Sequence, residues 1–251
     1  MISKTLAKKN VGTREGFNWR GKEITRIEGL SDCVFGFAVT LLIISLEVPK
    51  TYEELYVIMR GLPSFAVCFV LLMLVWHDQY IYCRRYGIED SRTVVLTLTL
   101  LFLVLYYIFP LKFLWTVLMS PLTDLIFGPG GGVASTFSNI DDVAHLMMLY
   151  HIGIMAVYVV FTLMYSHAYN KREELELNPV EVHDTRGSIV DSLFFVGLGL
   201  LGMLVILIGG PELSGISGMM YPVFIAPFFS IMGSRNGKKR AALLAQMKTA
   251  G

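Results

Sequence analysis

The sequence predicts an all-α integral membrane fold of six transmembrane helices with both termini cytoplasmic. Three observations lead there. Of the 251 residues 54% are hydrophobic and only 16% charged, where an ordinary soluble domain carries about a quarter charged residues; the mean hydropathy is +0.59. The apolar residues gather into six blocks, each near the ~20 residues that a helix rising ~1.5 Å per residue needs to cross a bilayer. Finally, 18 of the 21 Lys and Arg residues fall on one side of a six-span arrangement, as the basic bias of cytoplasmic loops requires.

The blocks lie near residues 28–48, 59–83, 92–115, 143–169, 187–209 and 215–234. They divide the chain into a cytoplasmic N-terminal tail (1–27), a six-helix transmembrane domain (28–234) and a basic cytoplasmic C-terminal tail (235–251). The polar start, MISKTLAKKNVGTREGFNWRGKE, lacks the apolar centre of a signal peptide and predicts no cleaved targeting segment. Pro63 falls where the second helix begins, a position that tolerates proline. Pro110 predicts a kink in the third helix, and Pro222 with Pro227 predicts an irregular sixth. The loop SPLTDLIFGPGGGVASTFSNIDD separates the third and fourth blocks. With no strand before its glycines and no Lys-Ser/Thr after them, it is not a phosphate cradle, and its glycine-rich centre predicts a mobile connection.

On the side opposite the basic residues stand Lys50, Arg60 and Lys112 with the acids Glu47, Glu53, Glu54, Asp124, Asp141, Asp142 and Glu212. Cys33, Cys68 and Cys83 lie in or near apolar runs, which predicts packing and neither a disulfide nor a CxxC-type metal site.

Given this topology, polar groups recur at one depth. Asp32 lies about 9 Å inside Arg26 along the first helix. His77, flanked by Trp76 and Asp78, lies at a similar depth on the second. Thr97, Asp191, Ser192 and Ser230 do so on the third, fifth and sixth. A carboxylate at the bilayer centre costs about 2.5–3.5 kcal/mol on insertion scales and usually faces protein. Asp32 can lower that cost by pairing with His77 or by accepting from the Trp76 indole. The plainer role for this layer is to tie helices together. The alternative is part of an ion's cytoplasmic path, or pH sensing through His77. Further along the first helix, Phe37, Leu41, Ile44 and Val48 form one apolar stripe with Thr40 beside it; periodicity alone assigns such a stripe to lipid or core.

Arg26-Ile27-Glu28-Gly29-Leu30-Ser31-Asp32-Cys33 resembles the R-x-x-x-F-S-D-G signature of the transmembrane protein 175 potassium channels of bacteria, archaea and lysosomes. The continuation VFGFAVTLLIISLEVP, the pair Trp76-His77 and the tract YIFPLKF around Pro110 are similar to that family as well. The likeness runs to about residue 120; beyond that it is topological. It implies a prokaryotic six-span channel, a homotetramer around a central pore lined by the first helix, without a TVGYG filter; the sequence has no such run. By the same resemblance Phe37 forms the pore constriction, with Leu41 and Ile44 further outward. Thr40 is the pore-lining polar residue, and Arg26, Ser31, Asp32, Trp76 and His77 form the structural network. Three positions depart from the family pattern: Leu30 stands for Phe, Cys33 for Gly or Ala, and Phe37 for Ile or Leu. Four phenyl rings can plug a pore, or turn and offer their faces to a cation.

The implied function is a potassium-preferring cation channel of the cell membrane. Its hydrophobic gate opens when the apolar ring wets. Its partners are further copies of itself, the lipid bilayer and monovalent cations, with permeant K+ but no cofactor, bound metal or nucleic acid. Two other readings stay open: a proton pathway through Asp32, His77 and Asp191, and a nonconducting scaffold shut by Phe37. His145 and His151 with Met147 and Met148 suggest copper, but a spacing of six puts the histidines on different faces, so core packing is the better account. His167 is expected at the interface, and Glu173, Glu174 and Glu176 at a solvated helix end. The basic run RNGKKR can touch anionic lipid, though topology alone explains it. No Ser-His-Asp set, HExxH or Walker motif is present, so no enzyme is predicted.

Overall fold

The computed structural model describes residues 16–44, 49–128 and 139–250. Glu47, Val48 and the glycine-rich centre of the long loop beyond Gly128 lie outside these residues. Within them the chain is helical, with no strand. The helices are α1 (Arg26–Ile44), α2 (Tyr52–Arg60), α3 (Leu62–Tyr86), α4 (Ser91–Phe127), α5 (Ile140–Asn170), α6 (Pro179–Gly209) and α7 (Ser214–Ala250), the last entered through a short 3-10 turn (Pro211–Leu213). Five of them, α3 to α7, are long and apolar enough to cross a membrane.

Local chemistry sets most of the boundaries. Gly61 separates α2 from α3, and Pro63 occupies the first turn of α3. Gly87, at φ 59°, ends α3 in the left-handed region that glycine adopts without strain. Asp90 caps α4 by accepting from the Thr93 N–H, and Asn178 caps α6 in a reciprocal box with Glu181. α4 is one helix through Pro110 and Pro121 to Phe127. One expectation changes. α7 runs as one helix through positions 222 and 227, where irregularity was expected, and on through the basic run to Ala250. Neighbouring helices in a bilayer can satisfy the backbone groups that proline frees, so proline there does not end a helix. α6 starts at Pro179, two turns before its apolar block, because its first turns are polar and pack on the N-terminal segment.

The helices pack in two groups joined at α4. α1 lies on α3 and α4, while α5, α6 and α7 pack in sequence. The first group shares a core of Phe35, Ala38 and Leu42 from α1 with Leu72, Leu101 and Ile108. A second core, with Tyr82, Tyr86, Phe161 and Tyr165, joins the end of α3 to α5.

Phe17 inserts into that second core, under the Arg85 guanidinium at 4.9 Å. The chain leading into α1 is thus a strap from Gly16 onward, although the sequence suggested a plain tail. Arg20 donates through both terminal nitrogens to the fully buried Glu181, at 3.0 and 2.8 Å, and through Nε to the Leu175 carbonyl at 2.8 Å. The Asn18 N–H reaches the same carboxylate at 2.7 Å. Gly21 and Arg84 exchange contacts, Gly21 N–H to the Arg84 carbonyl at 3.2 Å and Arg84 to the Gly21 carbonyl at 3.0 Å. A Cβ at Gly21 would sit 2.5 Å from the Cys83 carbonyl, so only glycine permits this approach. Thr25 then caps α1 by accepting from the Glu28 N–H at 3.1 Å.

At the α3–α4 turn, Asp90 Oδ2 lies 2.6 Å from Nε2 of His167, which is buried. Lys171 Nζ is 3.2 Å from the same oxygen. Partial burial favours the neutral Asp90 acid, but bonds from Thr93, His167 and Lys171 outweigh it and hold the carboxyl well below the usual carboxylate range.

Breaking a buried ion pair from one side leaves an uncompensated charge, at a cost of about 3–5 kcal/mol. Arg20→Ala and Glu181→Ala should each lower the unfolding midpoint in detergent, followed by circular dichroism. The double change Arg20→Met with Glu181→Leu should recover much of the loss. Because the folded Asp90 carboxyl is depressed, its stabilisation is present above the unfolded value of about 3.9 and is lost as pH falls below it. Melting temperature should therefore drop below about pH 4, and Asp90→Asn should flatten that drop.

Candidate functional site

α1 has two unlike sides. Glu28, Ser31, Phe35, Ala38 and Leu42, spaced by three and four, are buried against α3 and α4. Leu30, Cys33, Gly36, Phe37, Thr40 and Ile43 are exposed. A Cβ built on Gly29 or Gly36 would meet nothing within 4 Å, so this side is uncovered within the protomer.

Three of the four residues given a pore role can be placed relative to these sides. Phe37 is 57% exposed on the uncovered side. Leu41 is half-buried and packs on the core shared with α3 and α4, which places it at the border. Ile44 is the last residue of α1, and its side chain lies outside the described residues. Thr40 is exposed, and its hydroxyl donates to the Phe37 carbonyl at 2.7 Å. A hydroxyl whose hydrogen is bound to its own helix keeps lone pairs turned outward, able to accept from water or a cation.

The polar residues of α1 meet α3. Asp32 is exposed at the seam and accepts from the Trp76 indole N–H at 2.8 Å. His77 is on the outside, its side chain 59% exposed, with Nδ1 3.8 Å from Asp78. Of the two partners available to Asp32, the protomer supplies the indole. Arg26 opens α1 and is exposed. Ser31 donates to the Ile27 carbonyl at 2.8 Å and accepts from Gln79 at 2.7 Å. Trp76 stacks on Tyr80 at 5.7 Å, and the Arg84 guanidinium lies 5.5 Å from the Tyr80 ring centre. Trp76, Tyr80 and Arg84 thus form one i, i+4 stripe of α3.

Arg84 Nε lies 3.4 Å from the buried Glu28. Glu28, Gln79 and Arg84 are given no site role by the sequence reading. The signal was there: Glu28 and Ser31 share the i+3, i+4 face of Phe35 and Ala38, so both had to be inside.

The other polar residues that the sequence reading assigned to one layer differ in their surroundings. Thr97 and Ser192 are buried, Ser192 bonds its own helix at the Ser188 carbonyl, and Ser230 is exposed while Asp191 is half-buried. His151 is fully buried, with Nδ1 3.0 Å from the Tyr221 hydroxyl and Nε2 3.1 Å from the Ser217 hydroxyl; His145 is exposed. Both ring nitrogens of His151 are occupied. Among the described residues no group of three His, Cys, Asp or Glu could hold a metal ion, and the three cysteines are free.

Comparison with known proteins places this architecture. The family model described as endosomal/lysosomal potassium channel TMEM175 matches residues 26–110, from the start of α1 to Pro110 of α4. A potassium channel of Marivirga tractuosa is 36% identical over 242 residues, covering 93% of this chain and 96% of that protein. A crystal structure of the potassium channel MtTMEM175, a threonine-to-alanine variant in complex with a nanobody–MBP fusion protein, matches with a TM-score of 0.80 at 35% identity. That match covers 90% of this chain and 99% of the other.

The Asp32–Trp76 bond should appear as a coupling energy. A hydrogen bond to a charged group contributes about 1.5–3 kcal/mol. In a double-mutant cycle of Asp32→Ala and Trp76→Phe, unfolding free energies should show an interaction in that range; additivity would mean the bond contributes nothing.

Proposed function

This chain belongs to the TMEM175 potassium channel family, and we propose that it is itself a potassium-preferring cation channel of the cell membrane. In this reading α1 and α3 to α7 are six spans, both termini are cytoplasmic, and four copies surround a central pore lined by α1. Phe37 makes the apolar constriction, with Leu41 and Ile44 further outward and Thr40 contributing hydroxyl oxygens. Arg26, Ser31, Asp32, Trp76 and His77 hold the helices in register.

One observation carries the reading. α1 is held on one side by an apolar core and polar contacts to α3, yet it leaves Cys33, Gly36, Phe37 and Thr40 uncovered in the protomer. Lipid gains nothing from a hydroxyl and a glycine at such positions. A water-filled axis lined by copies of α1 uses both, with small residues giving width and the hydroxyl offering oxygens.

A ring of four Phe37 side chains excludes water while closed, and conduction begins when α1 turns or splays enough to wet it. Potassium sheds its water more readily than sodium, so a narrow wet opening beside the Thr40 oxygens favours it. Phenyl faces add weak attraction for a cation. The proton-relay reading has less support, since Asp32 is engaged by Trp76 and His77 lies beside Asp78.

Flux from liposomes under a potassium gradient tests this. Phe37→Ala should raise potassium flux about tenfold, the effect of ~1.4 kcal/mol removed from the barrier at the ring. Flux indifferent to Phe37→Ala but abolished by His77→Ala would support the proton relay. Absence of flux from both the parent protein and Phe37→Ala would support the scaffold.

A further inference from the structure

Lys112 lies within the apolar tract YIFPLKF of α4, where an ammonium is costly to insert and usually serves a purpose. Its Nζ donates to the Leu42 carbonyl of α1 at 2.7 Å. On the neighbouring residue, the Cys68 thiol of α3 reaches the Leu111 carbonyl at 3.8 Å. The surrounding contact between α1 and α4 is apolar, Phe35, Ala38 and Leu42 facing Leu101, Val104 and Ile108. An aliphatic side chain at 112 would pack there without the insertion penalty. What it could not do is fix direction. Apolar surfaces tolerate small slides and rotations, whereas a hydrogen bond weakens steeply as its angle departs from linearity.

The bond sits well away from the other polar ties on α1, Glu28–Arg84, Ser31–Gln79 and Asp32–Trp76, which gather in its first two turns. Asp32 is tied to Trp76, and Leu42 is tied to Lys112 ten residues later, about 15 Å along the helix. Phe37 and Thr40 lie between the two ties. A rod held at one height can still pivot; held at two, it has one orientation.

We propose that Lys112 is a positioning residue for permeation: with the Asp32–Trp76 bond it pins α1 at two heights and sets the rotation at which Phe37 and Thr40 meet the axis. This rests on the reading of α1 as the pore wall. Lys112 does not touch the ion; it acts through a main-chain carbonyl in the last turn of α1, beyond Thr40. Losing the bond leaves the Asp32 tie and the apolar core in place, so the protomer folds while the uncovered side of α1 turns relative to the axis.

The experiment compares the parent channel with Lys112→Met, Lys112→Arg and Thr40→Ala in reconstituted bilayers, using bi-ionic potassium/sodium reversal potentials. Elution volume and melting temperature monitor assembly. Lys112→Met should assemble and melt like the parent while its potassium-to-sodium permeability ratio falls about threefold. Lys112→Arg, which keeps charged donors, should restore most of the ratio. An unchanged ratio in Lys112→Met, where Thr40→Ala does change it, overturns the positioning role. So does a fall that Lys112→Arg fails to restore, since it would report side-chain fit and not the bond. A ratio untouched by Thr40→Ala instead overturns the pore reading, and the role of Lys112 with it. If Lys112→Met does not assemble, Lys112→Gln, uncharged and shorter, is measured in its place: a lowered ratio supports the positioning role and an unchanged one overturns it.

Discussion

A polar group packed against apolar neighbours is costly to leave unpaired, so its partner must come from the protein. That constraint organises α1. Glu28 meets Arg84, Ser31 meets Gln79, Asp32 meets Trp76, and the Leu42 carbonyl meets Lys112. Each partner belongs to α3 or α4, so the polar groups of α1 specify its neighbours and its height against them. The apolar core of Phe35, Ala38 and Leu42 contributes contact area; the polar contacts contribute register. What remains on the other side of α1 is free to serve a different surface.

The same logic extends past the end of α1. The strap from Gly16 to Gly21 inserts Phe17 into the core and sets Trp19 edge-on to Tyr80 at 6.3 Å, and it is held as well by the buried Glu181, by Arg84 and by the close approach of Gly21 to the end of α3. Because Glu181 also forms the capping box of α6, one carboxylate both starts α6 and anchors the lead-in to α1. The two groups of helices, which share a packed contact mainly through α4 and α5, are thereby joined a second time by charge.

The positions of the helices were legible because hydropathy in long blocks is a strong signal, and the motif around Asp32 was legible because its residues are unusual at that depth. Helix ends were less so. α4 and α7 extend well beyond their apolar blocks, since a helix continues through polar sequence whenever its backbone is satisfied, and hydropathy does not record that. Proline misled at positions 222 and 227 for the same reason. The Trp76 indole was foreseeable as a partner for Asp32 because the two share a depth. The Arg20–Glu181 pair was not, because 161 residues separate its members and no periodicity links a polar strap to the first turn of a distant helix. Leu41 shows a finer limit: a stripe read at ideal spacing could not show that one of its members turns toward the core.

α7 leaves its apolar stretch without a hinge, and Arg240 ties it sideways to Asp184 of α6 at 2.9 Å. From Arg235 to Ala250 that makes a lever about 24 Å long, tied to α6 about a third of the way along. Through that tie and the Arg20–Glu181 pair, the start of α6 joins the C-terminal lever to the lead-in of α1.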